Sequence, residues 1–252
     1  MNPLTNDCFI RELIFLKEEF PDCQSYPFRL PFLQTDSLLF HPKVTYIIGE
    51  NGMGKSTLLE AIAIASGFNP EGGTSNFNFS TYDSHSPLEK YVRLVKGIKK
   101  PQDGFFLRAE SFYNVATQIE EMDREGAAGK VIDSFGGTSL HQQSHGEAFF
   151  AAFNYRFRGS GLYILDEPEA ALSPLRQLSL LARIHDLAEA RSQFIIATHS
   201  PLLMAYPKAQ ILEITGKGIQ ERQLEETGHY KIMKQFFDDK DRLLHHLLNA
   251  DD

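Results

Sequence analysis

Hydrophobic residues along this chain fall into short blocks with two periods. Compact β-branched and aliphatic runs end at glycine or at acids, and between them lie stretches with apolar residues three and four apart. "KVTYIIG" (Lys43–Gly49) predicts a strand, and "KSTLLEAIAIASG" (Lys55–Gly67) predicts a helix closed by Gly67 as a cap. "GFFLRAE" (Gly104–Glu110) reads as a strand. "GLYILDEPEAALSP" (Gly161–Pro174) reads as a buried parallel strand running into a loop and helix, and "SQFIIATHSP" (Ser192–Pro201) repeats the strand-then-loop form. From Phe9 to Phe40 the apolar segments are cut by Pro21, Pro27 and Pro31, which predicts short strands and turns. Helices are predicted over Ser86–Ile98, Ser111–Ala127 and Ala148–Phe157, with an exposed polar loop over Asn69–Ser86. "ILEITGKGIQERQLEE" predicts a hairpin turning at Gly216–Gly218, and "HYKIMKQFFDDKDRLLHHLL" an amphipathic helix or a pair of helices.

Strands alternating with helices predict an α/β fold: a mostly parallel sheet flanked by helices, with antiparallel β structure from the segment before Phe40. With 252 residues, 42% of them hydrophobic, the chain can bury one large core, so a single domain over 1–252 is expected. Within it, 68–145 forms an inserted helical subregion and 215–252 the closing hairpin and helix. The formal net charge of -8 argues against non-specific nucleic-acid binding by the whole surface but leaves room for a local basic groove. The two cysteines, Cys8 and Cys23, show neither metal-ligand spacing nor a disulfide framework and are expected to be reduced and structural. The sequence has no apolar run long enough for a membrane span and no signal-peptide pattern, so a cytoplasmic protein is expected.

The candidate chemistry begins at "GENGMGKST", Gly49–Thr57. Gly, four residues, Gly, Lys, then a hydroxyl is the spacing of a phosphate-binding loop. Its glycines let backbone N–H groups turn inward, and here Gly49, Glu50, Asn51, Gly52, Met53, Gly54, Lys55, Ser56 and Thr57 are the expected nucleotide-binding residues. Lys55 is expected on the phosphates and Ser56 on Mg²⁺. In "LYILDEPEA", Asp166 closes a buried strand where it can hold Mg²⁺, and Glu167 can polarise an attacking water as general base. His199, just past the strand in "IIATHSP", can hydrogen-bond a γ-phosphate.

These motifs, in this order, resemble the ABC-type ATPase core, and the resemblance runs from about Tyr26 to Ile214. It implies a dimer with two ATP molecules sandwiched head to tail, each held by the phosphate loop of one subunit and a signature segment of the other. In "SLHQQSHGEAFF", Ser139–Phe150, the residues Ser144, Gly146 and Glu147 occupy the signature's place, with Gln143, His145 and Glu147 departing from its usual Leu-Ser-Gly-Gly-Gln. The resemblance also implies a Q-loop, for which Glu110 is the metal-side candidate and Gln118 the alternative, and an adenine-stacking aromatic, Tyr26 or Phe28. Ser173 stands where many relatives carry Asp in the D-loop. "DEPEAALSP" and "THSP" look like the soluble RecF, SMC and overcoming-lysogenization-defect branch, and the chain as a whole resembles small stand-alone bacterial ATPases. The implied function is an ATPase that gates a separately encoded effector or DNA. The alternative is the nucleotide-binding subunit of a membrane transporter.

Overall fold

In the computed structural model, which describes residues 8–21, 25–74, 86–124, 126, 130–142 and 145–249, the chain first forms β1 (Ile10–Phe15), β2 (Ser37–Leu39), β3 (Val44–Ile48), α1 (Lys55–Ser66), β4 (Val92–Lys96), β5 (Asp103–Arg108) and α2 (Phe112–Arg124). There follow α3 (His145–Ala151), β6 (Gly161–Asp166), α4 (Pro174–Glu189), β7 (Gln193–Ala197), α5 (Pro201–Met204), β8 (Gln210–Thr215), β9 (Gly218–Arg222), α6 (Gly228–Asp238) and α7 (Lys240–Leu248).

The main sheet has the order β5-β6-β7-β3-β8-β9, parallel except for the antiparallel edge β9. Strands β3, β6 and β7 are buried at every position, because helices cover both faces. Successive side chains point to opposite faces. Val44, Tyr46 and Ile48 therefore join Phe105, Tyr163 and Phe194 in a core shared with α2, α3 and α4, whereas Ile47 joins Ile164 and Ile195 in a second core. Leu58, Leu59 and Ile62 of α1 enter that second core fully buried. Each such side chain contributes roughly 1.5–3 kcal/mol of burial, which seats the helix and the loop before it.

The second core also takes residues from a separate antiparallel sheet, β2-β1-β4. Gln193, wholly buried at the start of β7, joins the two sheets: its Oε1 accepts from the N–H groups of Phe9 and Ile10, and its Nε2 donates to the carbonyls of Ile10 and His41. Cys8 is a buried free thiol whose pKa burial raises to about 11, which leaves it an inert packing group. Cys23 lies outside the described residues.

Three sequence expectations change. Ser86–Ile98 is not a helix: Ser86 caps a single 3-10 turn over Pro87–Tyr91, and β4 follows, pairing antiparallel with β1 through Leu13 and Leu94. The apolar spacing suited either element, and the open edge of β1, with the β-branched Val92 and Val95, decided it. The stretch 68–145 thus supplies a strand to each sheet as well as α2. The small antiparallel sheet is accordingly built from both β1–β2 and β4, while the antiparallel edge of the main sheet comes from β9. Finally, α3 does not run regularly to Phe157, because Ala152–Arg156 forms a π-helical turn. Arg183 of α4 donates to the carbonyls of Phe153 and Phe157 there, so the wider turn leaves these groups satisfied.

Candidate functional site

The loop between β3 and α1 lies at the carboxyl ends of the parallel strands, where ligands bind in open α/β sheets. Gly49, Gly52 and Gly54 all adopt positive φ. At Gly54, with φ +88°, a Cβ would also stand 2.8 Å from the Phe32 ring and 2.9 Å from Leu30, so the loop needs glycine there on two counts. Lys55, the first residue of α1, is buried, and its Nζ donates to the carbonyls of Gly49 (3.0 Å) and Glu50 (3.3 Å). Burial lowers the ammonium's pKa, against the pull of Glu167, Asp166 and Glu169. The loop thus curls around a cation whose direct partners among the described residues are backbone oxygens, an arrangement ready for an anion.

Ser56 faces the end of β6, and its Oγ donates to Asp166 Oδ1 at 3.2 Å. Asp166 is buried, and this pushes its pKa up to about 6 despite Arg108 and the Ser56 hydroxyl, which hold it down. Glu167 follows in the left-handed region, φ +51° and ψ +53°, with its N–H bonded to Ala197 O of β7 at 3.0 Å. A non-glycine residue in that conformation is strained, and here it turns the carboxylate to the cleft. That cleft, of about 420 Å³, is lined by Asn51, Gly52, Gly54, Lys55, Ser56, Thr57, Glu110, Glu167, Tyr26 and Leu30. His199 is not one of the residues lining it, but its Nε2 lies 3.6 Å from Glu167 Oε1.

Several expected residues are placed elsewhere. β5 ends at Arg108, so Glu110 sits in a turn beyond the strand, still on the cleft. Gln118 lies on α2, away from the cleft, donating to Glu121 at 2.8 Å. Phe28 is a core residue, packed on Phe20 and Tyr91 with ring centroids 5.0 and 5.1 Å away, and has no face for a base. Tyr26 is 58% exposed at the cleft mouth, its hydroxyl 2.6 Å from Thr57 Oγ1. Glu50 is exposed and Met53 packs against the second core. Gln143 and Ser144 lie outside the described residues. Gly146 and Glu147 are in the first turn of α3 and do not line the cleft. A Cβ on Gly146 would stand 2.7 Å from Ala171 O, so α3 packs directly on the turn that follows Glu167. Ser173 caps α4, accepting from Arg176 N.

Two family models match the chain. One, described as "AAA domain", matches residues 28–160, more than half of its length. The chain belongs to the AAA domain family. Residues 140–205 of this AAA-domain protein also match a model described as "AAA domain, putative AbiEii toxin, Type IV TA system". A curated relative, ABC transporter G family member 22 of Arabidopsis thaliana, is 24% identical over 195 residues, 70% of this chain. The chain spans 25% of that relative's length. Among solved structures, the SMC head domain from Thermotoga maritima is 15% identical at a TM-score of 0.45, over 86% of this chain and all of that one. An ATP-binding cassette of an ABC transporter in its ADP conformation is 16% identical at a TM-score of 0.48, over 92% and 95%.

Three residues that sequence reasoning did not single out complete the site of this AAA-domain protein. Arg108 is the register partner of Asp166 on the neighbouring strand and pairs with Glu60 of α1 at 2.7 Å. Glu169 accepts from His199 N at 2.5 Å and ties the turn after β6 to the loop after β7; burial raises its pKa. His229 of α6 meets His199, Nε2 to Nδ1, at 3.0 Å. Arg108 had a signal, a cation closing an apolar strand. The other two depend on contacts between distant segments.

Proposed function

We propose that the chain binds ATP with Mg²⁺ and hydrolyses it, as a head-to-tail dimer that gates a separately encoded effector. The observation that carries this reading is the convergence of Lys55, Ser56 and Glu167 on one cleft, with Asp166 bonded to Ser56 behind it. Lys55 exchanges its backbone oxygens for the β and γ oxygens of the nucleotide, and the amides at the start of α1 receive the same phosphates. The donor set suits Mg²⁺, one hydroxyl and one buried carboxylate 3.2 Å apart, with phosphate oxygens to supply the rest. Ser56 and Asp166 would hold the ion, which when bound neutralises developing phosphate charge. Glu110 faces the same cleft as a further oxygen donor. Glu167 accepts a proton from the attacking water, and His199 Nε2 addresses the γ-phosphate beside it.

In the dimer, Ser144, Gly146 and Glu147 of one subunit serve the ATP of the other. The close approach of Gly146 to Ala171 supports a link between that signature and the subunit's own Glu167 segment. The match of residues 140–205 to a toxin-system description favours a toxin-like or defence-type effector, or DNA, as partner. The transporter relative favours a second reading, an energy subunit for a permease. Among the described residues no helix is long and apolar enough to cross a membrane. Mg²⁺-dependent phosphate release by the wild type, lost in Glu167→Gln with ATP binding retained, tests the catalytic assignment. Co-purification with a membrane protein would favour the permease reading over a soluble effector or DNA.

A further inference from the structure

His199 is gripped from two sides. Glu167 Oε1 lies 3.6 Å from its Nε2, and Nε2 of His229, in the first turn of α6, lies 3.0 Å from its Nδ1. Burial, and after it the neighbouring cations, hold both rings below the usual histidine range, so the neutral pair is the form present near pH 7. Two neutral imidazoles in such contact share one proton, so one ring donates and the other accepts. The outer nitrogens decide which. Neither His199 Nε2 nor His229 Nδ1 has a hydrogen-bond partner among the described residues, so either tautomer leaves one donor and one acceptor bare, and the Glu167 carboxylate 3.6 Å from His199 Nε2 decides between them. Were His199 the donor, its Nε2 lone pair would face that carboxylate. With His229 as donor, His199 Nε2 turns a proton toward the negative charge instead.

We propose that His229 is a positioning residue: its Nε2–H donates to His199 Nδ1 and fixes His199 as the tautomer whose Nε2–H points to Glu167 and to the γ-phosphate. This rests on the ATPase reading above. It also makes α6 part of the site. The helix has no buried residue of its own and is held at its start by the fully buried Thr227, which accepts from Tyr230 N and donates to Leu224 O. Beyond that turn it exposes Ile232, Met233 and Phe237 to solvent. A displacement of α6 therefore withdraws the donor from His199.

Two measurements test the proposal. In nucleotide-free wild type with labelled histidines, the ring ¹⁵N shifts should report a protonated Nε2 and a bare Nδ1 at His199, and the reverse pattern would overturn it. In steady-state kinetics His229→Ala should lower kcat by about tenfold or more, as loss of a partner that orients a site imidazole does, with the KM for ATP nearly unchanged. His229→Gln, whose side-chain amide can donate from the same place, should recover most of that loss. Wild-type kcat in His229→Ala, or a Gln variant no better than Ala, would contradict the proposal. If His229→Ala fails to fold, the ¹⁵N pattern and the Gln variant still decide. Absence of phosphate release by the wild type would sink the ATPase reading, while the tautomer would still be read from the shifts.

Discussion

Arg108 and Asp166 lie side by side on adjacent parallel strands, with Arg108 Nε 3.7 Å from Asp166 Oδ2 and Arg108 Nη1 2.7 Å from Glu60 Oε2. One guanidinium thus stands between the metal-side carboxylate and a carboxylate on the helix that follows the phosphate loop. Its side chain is 20% exposed and that of Glu60 10%, so neither charge has much water to fall back on.

Arg108→Met should therefore destabilise the fold by about 3 kcal/mol, because it leaves Glu60 buried with, among the described residues, the Ser86 N–H as its one remaining partner. Removing both charges, as Arg108→Met with Glu60→Gln, should recover most of that loss. Denaturant unfolding of the wild type and the two variants checks this, and a double variant no better than the single would show that the pair is not what holds the segment.

Asp166 should make the nucleotide-free protein less stable as pH rises. Its folded pKa of about 6 lies above the ordinary 3.8 of an aspartate, so the folded state favours the neutral carboxyl. Below pH 4 the group costs nothing, and the penalty grows through the interval and is complete above about pH 6. Asp166→Asn should accordingly melt higher than wild type at pH 7.5, by up to about 3 kcal/mol of stability, with the difference vanishing near pH 4. Thermal unfolding across pH without Mg²⁺ reads the effect directly. The same variant should lose Mg²⁺-dependent phosphate release.

Ser144→Arg should abolish hydrolysis while leaving the monomer's ATP affinity within a few fold, since in the proposed sandwich it serves the partner's nucleotide. Mixing it with Lys55→Ala should restore phosphate release, because one intact site then forms from the Lys55 of one subunit and the Ser144 of the other. No recovery on mixing would place Ser144 in its own subunit's pocket or in the core.

The motifs of the candidate site were legible because each is local. The glycine spacing of Gly49–Gly54, the Lys55-Ser56 pair and the carboxylates that end β6 are each written within a few consecutive residues, and buried parallel strands announce themselves as unbroken apolar runs. What escaped the sequence depends on pairing across distance. The stretch Val92–Lys96 carried a pattern suited to helix or strand until the edge of β1 was available. Phe28 offered an aromatic near the phosphate loop, but its place in a cluster with Phe20 and Tyr91 follows from packing alone. His229 sits thirty positions beyond His199 with no spacing rule to connect them, and only the fold of α6 against the loop after β7 brings the rings together.

Size measurement of Glu167→Gln by light scattering, with Mg²⁺ and either ATP or ADP, tests the central claim most directly. The substitution removes the proposed general base and one negative charge while leaving Lys55, Ser56 and Asp166 in place. The ATP-gated sandwich predicts a stable dimer with ATP and a monomer with ADP. A monomer under both conditions, with ATP bound, would contradict it.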